Sequence, residues 1–187
     1  TDGASKYNFF AGYGNKISET YPSSMGSVAI GLNNTVASNK TTSPDTMAKG
    51  STSNAYGSVA LGTGNTVGSG SFAGYAVGGN NTVSGAGSIA MGYSNTIASG
   101  KYSTAIGYSH SVTGENNFVG GYDNTVYGSN NAVIGSGNSL GYSTSYEAHY
   151  CTLLGRGHSI GNSTTSGIAR PAYLTVVGRY SKPSRTG

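Results

Sequence analysis

The sequence predicts an all-β fold, a parallel β-solenoid built from coils of about 14 residues, on three observations. First, near-regular triplets of two small or apolar residues and a glycine set ten anchor glycines in one column: Gly12, Gly31, Gly62, Gly78, Gly92, Gly107, Gly121, Gly135, Gly155 and Gly178. Second, an aliphatic residue stands five places after nine of them, at Ile17, Val36, Val67, Val83, Ile97, Val112, Val126, Leu140 and Ile160, and only Pro183 breaks that column. Third, no segment keeps helical spacing over the ten or so residues a helix needs. With 32 glycines and 9% charged residues, composition alone would suit a disordered low-complexity chain. Disorder gives no reason for apolar residues to recur at a fixed spacing, so the periodicity decides for an ordered array.

Each element follows from that alignment. Before the glycines run short apolar stretches such as Ser27-Val28-Ala29-Ile30-Gly31, Ser58-Val59-Ala60-Leu61-Gly62 and Ser88-Ile89-Ala90-Met91-Gly92, which read as strands of four to five residues. The glycine spacings are 19, 31, 16, 14, 15, 14, 14, 20 and 23, one coil per repeat with longer excursions as loops. The interval of 31 is expected to hide a degenerate coil around Met47-Ala48-Lys49-Gly50. Fourteen residues hold two short strands and two tight turns, and the Gly-Asn and Asn-Asn pairs supply the turns. Strands of successive coils then pair in parallel. The chain reads as a single domain, residues 1–187, with an irregular insertion at 37–56 and loop-rich C-terminal coils at 141–187.

Alternation along a strand assigns its faces. The residues one and three before each glycine, such as Val28 with Ile30 and Val59 with Leu61, are expected inside with the aliphatic column. The residue between them is then placed outside. That column reads Phe10, Ala29, Ala60, Ala76, Ala90, Ala105, Val119, Val133, Leu153 and Val176, apolar throughout. A thin solenoid has no spare chain to cover such a stripe, so sister subunits are expected to do so, with Ala29, Ala60, Ala76, Ala90, Ala105, Val119, Val133 and Leu153 forming the interface of a closed homotrimer. A Thr and Ser column four places after the glycines is expected to face water. One place earlier, Asn15, Asn34, Asn65, Asn81, Asn95, His110, Asn124, Asn138 and His158 form a column suited to an amide ladder that fixes register.

Several chemistries find no support. A net charge of +4 is too dilute for nucleic acid, although the portion after Glu147 is purely basic, with Arg156, Arg170, Arg179, Lys182 and Arg185. One cysteine, Cys151, excludes an intrachain disulfide, and no stretch is apolar enough to cross a bilayer. The opening Thr1-Asp2-Gly3 and the end at Thr186-Gly187 suggest a piece of a longer chain. Cys151 lies near His149 and His158, yet no third group orients a thiol-imidazole pair. His110, His149 and His158 lack metal-ligand spacing, and Gly68, Gly70 and Ala73 mimic a dinucleotide fingerprint without the helix it needs. The carboxylates are too dispersed for a glycosidase pair. No catalytic residue, metal or cofactor is expected. An ice-binding face would need a longer, uninterrupted threonine array.

One column points to recognition. Immediately after the glycines come Tyr13, Tyr93, Tyr108, Tyr122, Arg156 and Arg179, with Tyr93, Tyr108 and Tyr122 on successive coils where their rings should stack. This edge, with loops 141–150 and 161–173, is the expected ligand-binding surface, and an aromatic ladder that only stiffens the rod is the structural alternative. The insertion from Ala37 to Tyr56 is a second candidate.

The runs Ser27-Val28-Ala29-Ile30-Gly31, Ser58-Val59-Ala60-Leu61-Gly62 and Thr104-Ala105-Ile106-Gly107 resemble the head repeat of trimeric autotransporter adhesins, the YadA-like group, over about residues 8 to 180. The resemblance implies a left-handed parallel β-roll, a homotrimer, and an adhesive head on the bacterial cell surface, anchored in the outer membrane by other segments. Its partners would be host extracellular-matrix proteins, glycans or cell-surface receptors, with no nucleic acid and no membrane insertion of this segment. No neck, coiled-coil stalk or membrane anchor follows the last repeat. The closing run Leu174-Thr175-Val176-Val177-Gly178-Arg179-Tyr180 is also similar to roll endings in bacteriophage tail fibres, which makes a virion fibre the alternative.

Overall fold

A computed structural model describes residues 8–17, 26–36, 57–68, 73–99, 101–143, 147–161 and 172–180. Two parallel sheets run the length of the stack. One consists of the strands that contain the anchor glycines: β1 (Phe9–Tyr13), β3 (Val28–Leu32), β5 (Val59–Thr63), β7 (Tyr75–Gly79), β9 (Ile89–Tyr93), β11 (Thr104–Tyr108), β13 (Phe118–Tyr122), β15 (Ala132–Ser136), β18 (Thr152–Arg156) and β20 (Thr175–Arg179), hydrogen-bonded in that order. The other stacks β2 (Lys16–Ile17), β4 (Thr35–Val36), β6 (Thr66–Val67), β8 (Thr82–Val83), β10 (Thr96–Ser99), β12 (Ser111–Thr113), β14 (Thr125–Ser129), β16 (Ser139–Leu140) and β19 (Ser159–Ile160), with β17 (Ala148–His149) also pairing β14. The chain is a parallel β-solenoid.

The register matches the alignment of the sequence. Gly12 pairs with Gly31, Gly31 with Gly62, and so on through Gly155 with Gly178. The aliphatic column from Ile17 to Ile160 is likewise continuous in the second sheet. One expectation fails. Strand β3 pairs directly with β5, so no coil stands between them, and the degenerate coil proposed at Met47–Gly50 is withdrawn. Those residues, like the whole insertion 37–56, lie outside the described residues.

A larger correction concerns the faces. Ala29, Ala60, Ala76, Ala90, Ala105, Val119, Val133 and Leu153, expected at a subunit interface, are each 0% exposed within the single chain. They form the core with Val36, Val67, Val83, Ile97, Val112, Val126 and Leu140 from the opposite sheet. Only the terminal rungs of their column are uncovered, with Phe10 half-exposed and Val176 partly buried. The large residues expected inside stand outside: Ile30, Met91, Ile106, Ile134, Leu154 and Val177 are exposed. The physical reason is polarity two places upstream. Ser27, Ser58, Ser88 and Ser103 share the alanine face by alternation and are fully buried, because each fits an internal hydrogen-bond ladder. In the middle coils an alanine faces a valine or isoleucine across the slab, which leaves the larger flanking residues outside.

Polar columns hold the coils in register. The Asn34 Nδ2 amide donates to the carbonyls of Ile30 at 3.0 Å and Gly62 at 2.7 Å, while its Oδ1 accepts the Asn65 backbone N–H at 3.0 Å. Asn81, Asn95, Asn124 and Asn138 occupy the same column and are buried, each donating its amide to the anchor carbonyl of the next coil. Backbone carbonyls that a tight turn would orphan are thereby satisfied inside the solenoid.

A second ladder, which sequence reading missed, lies at the other turn. The Ser103 N–H donates to Ser88 Oγ at 3.1 Å, Asn117 N–H to Ser103 Oγ at 3.1 Å, Asn131 N–H to Asn117 Oδ1 at 3.1 Å, and Cys151 N–H to Asn131 Oδ1 at 2.9 Å. Its signal was present as a seven-residue half-repeat. Gly121-Tyr122-Asp123-Asn124-Thr125-Val126-Tyr127 is followed by Gly128-Ser129-Asn130-Asn131-Ala132-Val133-Ile134. In both halves the glycine has positive φ, the third residue is left-handed, and the Asn and Val are buried.

Candidate functional site

The column after the anchor glycines lies at the corner where each long strand ends. Tyr93, Tyr108 and Tyr122 pair in register, and their rings stack with centroids 5.6 and 5.2 Å apart and interplanar angles of 14° and 9°. Their side chains are 46%, 45% and 56% exposed. The lower end of the stack is closed, because the Tyr93 ring lies over Gly79 so tightly that a Cβ there would meet it at 2.7 Å. The Tyr93 hydroxyl accepts a bond from Asn80 Nδ2 at 2.9 Å. Bare glycine backbone covered by an aromatic ring from the next strand is a stabilising arrangement in sheets, so these tyrosines also bind the rungs together.

Above Tyr122 the column continues through Ser136, Arg156 and Arg179 in register. Both arginines are exposed. The Arg179 guanidinium lies 4.8 Å from the centroid of the Tyr180 ring, a cation-π contact. Tyr180 in turn lies over Gly157. Tyr13, at the other end, pairs with Leu32 rather than with a tyrosine and stands apart from the stack. Sequence reasoning thus placed Tyr93, Tyr108, Tyr122, Arg156 and Arg179 on one edge, and the structure puts them there. Of the loops 141–150 and 161–173 expected to join this edge, residues 144–146 and 162–171 lie outside the described residues, and Tyr150 and Tyr173 stand at the other corner.

At the opposite corner Tyr150 and Tyr173 stack with centroids 5.0 Å apart and planes 3° from parallel. Neither was singled out from sequence, because they occupy a positive-φ column that, Tyr102 apart, is otherwise filled by Gly, Asn and Ala. Four bulky residues adopt that left-handed geometry across the two corners, Tyr102, Tyr150, Tyr173 and Tyr180, with φ between 54° and 57°. Such geometry is unfavourable for a large side chain and is retained here where the ring has a partner to cover or stack upon.

Cys151 offers no nucleophile. It is buried, burial raises its thiol pKa, and Sγ donates to the His149 carbonyl at 3.3 Å. The His149 ring turns elsewhere, accepting the Ser129 N–H at Nδ1 and lying 3.6 Å from Glu147. Among the described residues no three His, Cys, Asp or Glu side chains form a group able to hold a metal, and no helix is long and apolar enough to cross a membrane.

The outer face of the first sheet carries a continuous apolar row, one residue before each glycine: Ile30, Leu61, Val77, Met91, Ile106, Gly120, Ile134, Leu154 and Val177 are successive register partners. Phe9, Tyr75 and Phe118 flank it and are exposed.

Residues 74–95 and 94–109 match the model of the YadA head domain repeat, in two copies. Two middle coils of the solenoid match the YadA head repeat. They span β7 to β11, where the anchor spacings are 14 and 15 residues and the buried column is alanine. Comparison of the chain with curated proteins and with solved structures gives no match. The YadA head repeats therefore fix the family likeness of the middle coils, and the pairing register carries the same architecture to both ends of the stack.

Proposed function

We propose that this chain is a non-enzymatic adhesive head of a trimeric surface fibre, displayed outside a bacterial cell, with its ligands among matrix proteins, glycans or receptors. The observation that carries the reading is a rigid stack with YadA head repeats that presents two exposed surfaces of different chemistry. The apolar row from Ile30 to Val177 on the outer face is the surface suited to sister subunits, in place of the alanine column that the core consumes. The corner with Tyr93, Tyr108, Tyr122, Arg156 and Arg179 combines aromatic and cationic groups, the types enriched at recognition hot spots.

Attachment of the purified chain to surfaces coated with matrix proteins and glycans tests the edge. Replacing Tyr93, Tyr108 and Tyr122 together by Ser is expected to lower attachment at least tenfold in a protein that keeps its β-sheet circular dichroism and its oligomeric mass. Unchanged attachment by the folded variant contradicts this assignment of the edge.

A further inference from the structure

The tyrosine ladder stops at Tyr122. Tyr93, Tyr108 and Tyr122 place one ring per strand, and at the next strand the column holds Ser136. One strand further stands Arg156. The neighbouring corner position is also bare there. Other glycines at that position are covered by the next coil: Gly14 by the Asn33 side chain, Gly64 by that of Asn80, and Gly157 by the Tyr180 ring. At Gly137, among the described residues, nothing lies within 4 Å of where a Cβ would be.

The register thus leaves a notch at the level of Ser136 and Gly137, one strand above Tyr122 and one strand below Arg156. At about 4.8 Å per strand its walls are roughly 9.5 Å apart, which admits a single six-membered ring in contact on both sides. Its chemistry is specific. The Tyr122 face, with its partner Tyr108 on the other side, offers the C–H faces of a pyranose a flat apolar surface. Arg156 and Arg179 supply cationic donors in a planar geometry that matches a carboxylate. Ser136 contributes a hydroxyl at this level, and exposed Asp123, next in sequence to Tyr122, gives an acceptor for sugar hydroxyls while disfavouring highly charged anions.

We infer that the notch between Tyr122 and Arg156 binds a carboxylate-bearing pyranose, one acidic unit of a glycan, whose ring extends the tyrosine stack by one rung. The inference rests on the adhesive reading of this edge and names the ligand class for it.

Titration of the 187-residue chain with 3′-sialyllactose and with a hyaluronan tetrasaccharide, followed by calorimetry or tyrosine fluorescence, tests it against lactose as the neutral control. At least one acidic saccharide is expected to bind tenfold or more tightly than lactose. Ser136→Tyr, which extends the ladder, and Arg156→Gln, which leaves the notch open but uncharged, are each expected to weaken that binding at least tenfold in chains of unchanged circular dichroism. No binding by either acidic saccharide, equal binding of lactose, or full binding by both variants overturns the inference. Loss of saccharide binding in Ser136→Tyr with attachment unchanged upholds the notch and contradicts the adhesive reading of the edge. Attachment lost in the triple tyrosine variant, with saccharide binding intact in Ser136→Tyr, upholds that reading and overturns the notch.

Discussion

A methyl group on Gly92 would collide with the carbonyl oxygen of Gly107 in the next coil, and the backbone at Gly92 has φ of 114°, outside the range of other L-residues. Gly92→Ala is therefore expected to cost more than ~2 kcal/mol, whereas Gly137→Ala meets only a left-handed φ of 62° in open space and should cost about 1 kcal/mol. Urea denaturation of the two variants checks the difference. A second residue-scale outcome concerns His110, which replaces Asn in the buried ladder. Its Nδ1 accepts the Asn124 N–H at 3.2 Å and its Nε2 lies 3.2 Å from the Ile106 carbonyl, an arrangement of the neutral ring. Burial lowers its pKa below 6.5, outweighing the raising effects of nearby carbonyls and Asp123. The unfolded chain therefore binds the proton more readily. Stability is fully present above the unfolded pKa and is lost as the pH falls from about 6.5 through the folded value. The melting temperature should drop between pH 7.5 and 5, and His110→Asn should make the drop smaller. Which residues stack was legible in the sequence, because identical types recur at one spacing. Which way they point was not: side-chain size suggested Ile30 and Met91 for the core, while the buried Ser27 and Ser88 settle the parity for Ala29 and Ala90.

Coils, rather than strands, are the units of this fold. A two-residue strand such as β4 has no stability of its own, and it persists because the Asn34 ladder ties both its neighbours to it. Asn95→Ala leaves the carbonyls of Met91 and Gly107 without their buried donor and should cost about 1–3 kcal/mol, to be read from the urea midpoint. Insertions behave differently. Because β3 pairs directly with β5, the stack is continuous across the 37–57 interval, and a short connection there is expected to serve as well. Replacing residues 37–57 by Ser84-Gly85-Ala86-Gly87, which makes the corresponding connection before Ser88, should leave the melting temperature unchanged or raise it by a few degrees. A fall of more than about 5 °C would mean that the insertion supports the rung beneath it. Spacing alone suggested an extra coil within the 31-residue interval, since length does not distinguish a loop from a degenerate repeat. The seven-residue half-repeat was readable only in coils without insertions, such as Gly121 to Ile134, and was hidden elsewhere by turns of unequal length.

Ten rungs at about 4.8 Å make a rod core roughly 45 Å long. Such a molecule buries one slab of side chains and leaves a second apolar row, Ile30 to Val177, on its surface. In the proposed reading that row is the assembling face and the ladder edge the recognising corner. Ala90 and Met91 are adjacent in the chain and face opposite ways, so aspartate at each probes opposite faces. Ala90→Asp buries an unpaired charge and should unfold the chain. The most direct measurement is the solution mass of the wild type and of the double variant Met91→Asp, Ile106→Asp by sedimentation equilibrium, with circular dichroism on the same samples. The expected result is three times 18.8 kDa for the wild type and a folded species of 18.8 kDa for the double variant. A wild-type chain that stays monomeric at high concentration, or a double variant that loses its β-structure, would contradict the outward, subunit-covered placement of this row.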